Sequence, residues 1–289
     1  MKSLSLALAV GLVAGLSTSE AQERRVVRLE ADCSEINFMF GTDEVAHAEQ
    51  HLTVPMAVGT LELNPGENGG IRIKRGSGTS YAITACIGAG GRTRADAQRA
   101  ADAVRLVVEG ARVRVQPTPD TRNWGVHLVV EAPRGAQIHA ETRNGPIGVD
   151  GVEGRLTLRA SNGPIGLDDV AGQVDARAIN GPIGVTGSRG DLTIDTENGP
   201  ISVTLSGNRW DGRLSARAEN GPLSVRVPAR YTSGVEISSS GHGPWSCRIA
   251  ECRTGNRDWD DRSRSLKFGG DPVVVRISTV NGPVTIAGR

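Results

Sequence analysis

The sequence predicts an all-β fold and, within that class, a β-solenoid. Three observations predict it. The tripeptide Asn-Gly-Pro recurs at a fixed step, aliphatic residues alternate with polar ones on both sides of each copy, and the chain holds 38 glycines in 289 residues but only 3% aromatics. With so few rings a thick globular core is hard to fill, whereas short strands joined by tight corners need none.

Asn-Gly-Pro begins at Asn144, Asn162, Asn180, Asn198, Asn220 and Asn281, with His242-Gly243-Pro244 as a degenerate copy. The first four copies are eighteen residues apart and the later steps are longer, a regularity that points to repeat architecture. Aligning the copies gives columns. Leu156, Val174, Leu192 and Leu214 share a position before the corner, as do Leu158, Ala176, Ile194 and Ala216, then Ala160, Ala178, Thr196 and Ala218. After it come Ile147, Ile165, Ile183, Ile201 and Leu223, then Val149, Leu167, Val185, Val203 and Val225. Aliphatic positions alternating with polar ones are the pattern of half-buried strands.

Asn-Gly between such strands is also a strong hairpin signal. Proline decides against a hairpin. The residue after Gly163 would have to donate its N–H across the turn, and Pro164 has none. A solenoid corner makes no such demand, and stacked asparagines can bond to one another in a ladder. The expectation is about seven coils of 18–22 residues, with corners at Asn144-Gly145, Asn162-Gly163, Asn180-Gly181, Asn198-Gly199, Asn220-Gly221 and Asn281-Gly282. The glycines are expected to sit at positive φ. The left-handed hexapeptide helix is rejected, because its six-residue rule from Ile147 lands on the charged Glu153 and Arg159.

Elsewhere the chain divides as follows. Residues 1–21 read as a secretory signal peptide: a basic start, an apolar run from Leu4 to Leu16 and the small-x-small pattern Ser19-Glu20-Ala21. Residues 22–137 form a β-rich part with one helix near 94–104, capped by Thr93 and with Asp96 in its first turn. Its alanine face suits a flat sheet, and the whole part is expected to continue into the solenoid and cap its open end. Residues 138–289 are the solenoid, with 252–271 leaving it as a long charged loop and Val273, Val275, Ile277, Val284 and Ile286 supplying a final coil. No later segment is long and apolar enough to span a membrane, so the mature chain is expected without an integral membrane segment, exported to the periplasm or beyond.

Four cysteines in an exported chain favour disulfides and allow three pairings. Cys247–Cys252 closes a short local loop, which pairs Cys33 with Cys86. A formal charge of +1 gives no basic field and argues against a nucleic-acid partner.

The "NGxIxV" repeats, preceded by "LELNPGENGGIRI" and a short alanine-rich helix, resemble the bacterial putative-adhesin family of exported β-strand-repeat proteins. The resemblance covers about Val54 to Arg289. It implies a cell-envelope β-solenoid without defined active-site residues. This sequence departs from it by placing proline where the family more often has aspartate or another polar residue, which removes an acidic column.

Several residues invite chemistry. Glu197 and Glu219 are expected on adjacent strands about 4.8 Å apart, near the roughly 5–5.5 Å carboxylate separation of retaining glycosidases. That pair supports an alternative reading, a carbohydrate-active hydrolase or lyase on a parallel β-helix. A solvated face with Arg217 among its acidic neighbours is the plainer account. His47 and His51 have helical metal-pair spacing but lack a third ligand, and Asp258, Asp260 and Asp261 lack calcium-loop spacing, so no metal or cofactor is expected. Trp210, Trp245 and Trp259 gather in the C-terminal half, where the repeats lengthen. Exposed tryptophans stack on sugars or anchor protein contacts. The functional expectation is a non-catalytic adhesin-like binding or scaffold protein whose contact residues are these tryptophans, against an envelope polysaccharide or protein.

Overall fold

The computed structural model describes residues 33, 36–41, 43–116, 123–241 and 243–289; the expected signal peptide and His242 lie outside them. Before the repeats come β1 (Glu44–Pro55), β2 (Leu61–Asn64), β3 (Ile71–Arg75), β4 (Ser80–Gly91), helix α1 (Arg94–Ala103), β5 (Arg105–Glu109), β6 (Arg112–Gln116) and β7 (Trp124–Ala132). The repeats follow as pairs of a long and a short strand. These are β8 (Ala136–Asn144) and β9 (Ile147–Asp150), β10 (Glu153–Asn162) and β11 (Ile165–Asp168), then β12 (Ala171–Asn180) and β13 (Ile183–Gly187). Next come β14 (Arg189–Asn198) and β15 (Ile201–Leu205), β16 (Asp211–Asn220) and β17 (Leu223–Val227), then β18 (Gly234–Ser239) and β19 (Trp245–Cys247). Helix α2 (Glu251–Thr254), β20 (Asn256–Trp259), β21 (Arg264–Phe268), β22 (Val273–Asn281) and β23 (Val284–Gly288) close the chain.

The fold is all-β. The long strands of the repeats belong to a 12-stranded sheet and the short ones to an 11-stranded sheet, both mostly parallel. Each long strand from β8 to β16 ends in an asparagine, and Gly-Pro carries the chain across to the other sheet. The aligned columns are the pairing register: Leu156 lies beside Val174, Val174 beside Leu192, and Leu192 beside Leu214. Their side chains and those of the Ile/Leu column after the corner are buried in one continuous core between the sheets. Threonines replace alanine in one inner column at 142, 196 and 279. Each hydroxyl donates to a corner carbonyl, 2.9 Å to Gly145, 2.9 Å to Gly181 and 2.8 Å to Gly221, which satisfies a buried polar group that would otherwise be costly.

The corners are bonded from rung to rung. Asn162 Nδ2 donates to Asn144 Oδ1 over 3.0 Å, and the same bond recurs from Asn180, Asn198, Asn220 and Asn281 to the preceding asparagine. The amide of Gly163 donates to the carbonyl of Asn180, and that of Ile165 to the carbonyl of Pro182. Proline therefore serves as an acceptor, and its missing N–H costs no bond of this ladder. The corner glycines are not at positive φ, contrary to expectation. They are required by close approach: a Cβ on Gly181 would lie 2.1 Å from the carbonyl oxygen of Gly163, and Gly163, Gly199 and Gly221 repeat the contact. Positive φ belongs to the opposite corners, at Gly151, Gly172, Gly190 and Gly212.

From β8 to β17, order in space follows order in sequence. At both ends it does not. The rung formed by β2 and β3 lies between β6/β7, made after it, and β8/β9. Asn68 bridges Asn144, so "NGGI" at 68–71 is a further corner that the period did not reveal. At the other end β22 and β23 insert between β16/β17 and β18/β19. The segment expected as the final coil is thus the penultimate rung. The expected loop 252–271 is also corrected: it is α2 followed by the antiparallel hairpin β20–β21, with β21 pairing along the edge of β18. Its alternation of arginine with other side chains suits strands, and its charge is that of an exposed hairpin.

At the N-terminal end β1, β4 and β7 pair antiparallel, and α1 packs on β1 and β4 with Ala97 and Ala101 buried. The Thr93 side chain accepts from the Asp96 amide as expected of a cap. Disulfides join Cys33 to Cys86 and Cys247 to Cys252, with Cα separations of 5.2 and 6.1 Å.

Candidate binding surface

The outer face of the 12-stranded sheet carries charge in rows. Arg159 grips Asp175 through two 2.9 Å bonds, and Arg177 pairs with Glu197. Burial pushes the Asp195 carboxyl above its usual range, helped by Asp175 and opposed by Arg177, Arg217 and Arg159. Beside these rows lies an open groove of about 860 Å³ lined by Arg155, Asp175, Asp191, Arg213 and Arg276 among others. Glu197 and Glu219 do fall on neighbouring strands, between the paired positions Thr196/Ala218 and Asn198/Asn220. Glu197, however, already neutralises Arg177 one strand away. A carboxylate held in an ion pair on an open wall is poorly placed to act as nucleophile or acid at a sugar.

The three C-terminal tryptophans separate. Trp210 is 4% exposed, so its expected role in contact is corrected. Its indole Nε1 donates to the Gly190 carbonyl over 2.9 Å and its ring closes the core beneath the enlarged corner. Trp245, at the start of β19, is half-buried and donates to Ser239 Oγ over 2.8 Å. Trp259 is 50% exposed and lies with its ring centroid 6.0 Å from that of Trp245. β19 and β20 thus bring two of the three together at the C-terminal end of the stack.

Two residues that the sequence reading did not single out complete this surface. Arg264 stands opposite Trp259 in the β20–β21 pairing, and Arg257 lies two residues before it on the same face. Each guanidinium carbon is 5.4 Å from the Trp259 ring centroid. The alternation of Arg257, Trp259 and Arg264 around an Asp-Asp turn is the signal in the sequence that could have found them. Asp260 makes that turn: its carboxylate accepts from the amides of Arg262 and Ser263, both at 2.6 Å, and these bonds hold its carboxyl below the usual range. Asp260 is thereby committed to the hairpin.

The other metal-like motif lies on a strand. His47 and His51 sit on β1, where His51 meets Thr84 Oγ1 at 3.1 Å and Glu49 at 3.0 Å, so the helical spacing read from the sequence has no helix to serve. Among the described residues no helix is long and apolar enough to cross a membrane.

No protein-family model and no curated protein matches the chain. The solved structures to which the chain is similar include two described as follows. One is a putative cell adhesion protein from Clostridium sporogenes, 10% identical with a TM-score of 0.35, covering 84% of this chain and 100% of its own. The other is a putative adhesin from Bacteroides fragilis, 9% identical with a TM-score of 0.39, covering 84% of this chain and 97% of its own.

Proposed function

We propose that the chain is an exported, non-catalytic β-solenoid of about seven Asn-Gly-Pro-cornered coils that binds or scaffolds at the cell envelope, in the periplasm or outside the cell. Its contact surface is the C-terminal end carrying Trp245 and Trp259, and its partner an envelope polysaccharide or protein. The observation that supports this reading is the half-exposed Trp259 beside Trp245, where most other large apolar side chains among the described residues are interior. An aromatic ring left at the surface contributes most when a partner covers it.

The test is retention of the purified protein on envelope material. Trp259→Ala should reduce retention with little change in the melting temperature, whereas Arg177→Ala on the wall should leave it unchanged. Retention unaffected by Trp259→Ala would move the contact surface elsewhere. Release of reducing ends from a polysaccharide panel, abolished by Glu219→Gln, would replace a binding role with the hydrolase reading.

A further inference from the structure

We infer that the face formed by Arg257, Trp259 and Arg264 binds the uronate residues of an acidic polysaccharide. This rests on the C-terminal end being the contact surface and adds the chemistry of its ligand.

The placement of two arginines on one half-exposed ring carries the argument. Several arginines near the wall are neutralised: Arg112 by Glu62, Arg143 by Glu67, Arg159 by Asp175 and Arg177 by Glu197. Arg257 and Arg264 lie over one ring, and among the described residues neither has a carboxylate partner. Arg264 reaches only the Gly243 carbonyl, at 3.4 Å, and Arg257 makes its contact with the indole. The hairpin register thus holds two like charges within 5.4 Å of the same centroid. Both are cationic, and an anion brought to either guanidinium edge is attracted to it.

The geometry suits a carboxylate on a sugar. A guanidinium stacked on an aromatic face keeps its N–H donors at its edge, and a planar fork of donors matches a carboxylate bidentately. Trp259, half exposed, offers apolar surface to a pyranose beside the guanidiniums. A uronate presents both features on one ring: a hydrophobic face and a carboxylate at its margin. The hairpin also carries Asp258, Asp260 and Asp261. It is therefore not uniformly basic, and a continuous anionic membrane surface would meet these carboxylates as well as the arginines. Discrete carboxylates spaced along a polymer can address the arginine pair alone.

The experiment compares two polymers of one backbone, polygalacturonate and its fully methyl-esterified form, by affinity electrophoresis of the purified full chain. We expect at least about tenfold tighter binding to the acid form, the size of one lost charged hydrogen bond, weakening as salt rises. Arg257→Gln/Arg264→Gln should reduce binding to the level of the ester, with a melting temperature close to that of the parent. Trp259→Ala should weaken binding to both polymers. Equal binding to acid and ester, lost in Trp259→Ala, overturns the anionic ligand while leaving the contact surface in place. Binding to the acid form that survives the double arginine change puts the anion elsewhere and overturns the inference, as does no binding to either polymer. Arginine-dependent binding to phosphatidylglycerol vesicles, matching that to polygalacturonate, overturns the choice of a saccharide.

Discussion

Between β8 and β17 every strand lies beside the strand one repeat away, and each structural demand recurs in the same column. From β18 onward the columns continue, but the order does not: β22 and β23 fill a place that sequence order would give to β18 and β19. The middle is specified by local repetition, with the same Asn–Asn bond, the same close glycine and the same buried aliphatics at each step. The C-terminal end is specified by non-local pairing, a disulfide and a hairpin that folds over the edge. The chain places the half-buried Trp245 and the exposed Trp259 on that end. Repetition gives the middle its regularity, and relief from it gives the end room for a distinct surface.

The sharpest way to break this contrast is inside the middle. Gly181→Val places a branched side chain 2.1 Å or less from the Gly163 carbonyl oxygen, a backbone atom that can yield only by separating the rungs. The expected loss is about 3 kcal/mol or more in denaturant unfolding. Gly184→Ala three residues on is the control, because a Cβ there meets nothing within 4 Å and stability should change by less than about 0.5 kcal/mol. Similar losses from both would refute close approach as the reason for glycine at the corner.

At the end the corresponding change is Cys247→Ser with Cys252→Ser. The bond closes a loop of sequence separation 5, so its loss should cost about 2 kcal/mol. Amide exchange should quicken in β18 to β21 while β10 to β14 keep their protection. Uniform loosening would mean that the end is no separate unit.

Smaller effects sharpen the account of the middle. Asn180→Ala removes the bond to Asn162 at 3.0 Å and the one from Asn198 at 3.2 Å, for an expected loss of about 1–2 kcal/mol by thermal or urea unfolding. Pro182→Ala should cost less than about 1 kcal/mol, since the Pro182 carbonyl that accepts from Ile165 remains. Strong stabilisation by that change would revive the hairpin account of Asn-Gly-Pro. The smallest effect concerns pH. Asp195 has its carboxyl raised in the folded state, so the folded chain binds that proton more tightly than the unfolded one. Stability from this group is therefore present at low pH and falls as pH rises through the carboxylate range. Asp195→Asn should flatten the decline, and a parent–variant difference that does not change between pH 3 and pH 7 would contradict it.

The columns were legible because period-two alternation inside an eighteen-residue step leaves few other registers. Asn68-Gly69 reads as a turn but not as a corner of the stack, because glycine replaces proline at residue 70 and β6 and β7 have no eighteen-residue partner. The order of the last rungs escaped for a different reason. Val275 and Ile277 fit a core column wherever the rung is placed, so the pattern identifies a coil without saying which coil lies beside it. Trp210 and Trp259 stood in similar settings, each in a departure from the regular repeat, and only packing separates them. The first turns its ring into the core toward Gly190, and the second lies half exposed on β20, the edge strand of its sheet. Arg257 and Arg264 became visible as a pair through the hairpin register.

The interleaving of β22 and β23 bears on how the molecule is assembled as it emerges. A chain delivered amino terminus first presents β18 and β19 before the strands that must lie between them and β16/β17. Until residues 273–288 arrive, the edges of β16 and β17 are without their native neighbours. β18 and β19 then wait unpaired or dock one place too early. The order of the last rungs is thus fixed only once residues 273–288 have emerged. A protease or a translocation arrest acting before that moment leaves a growing edge, with its backbone donors and acceptors open to whatever strand comes next.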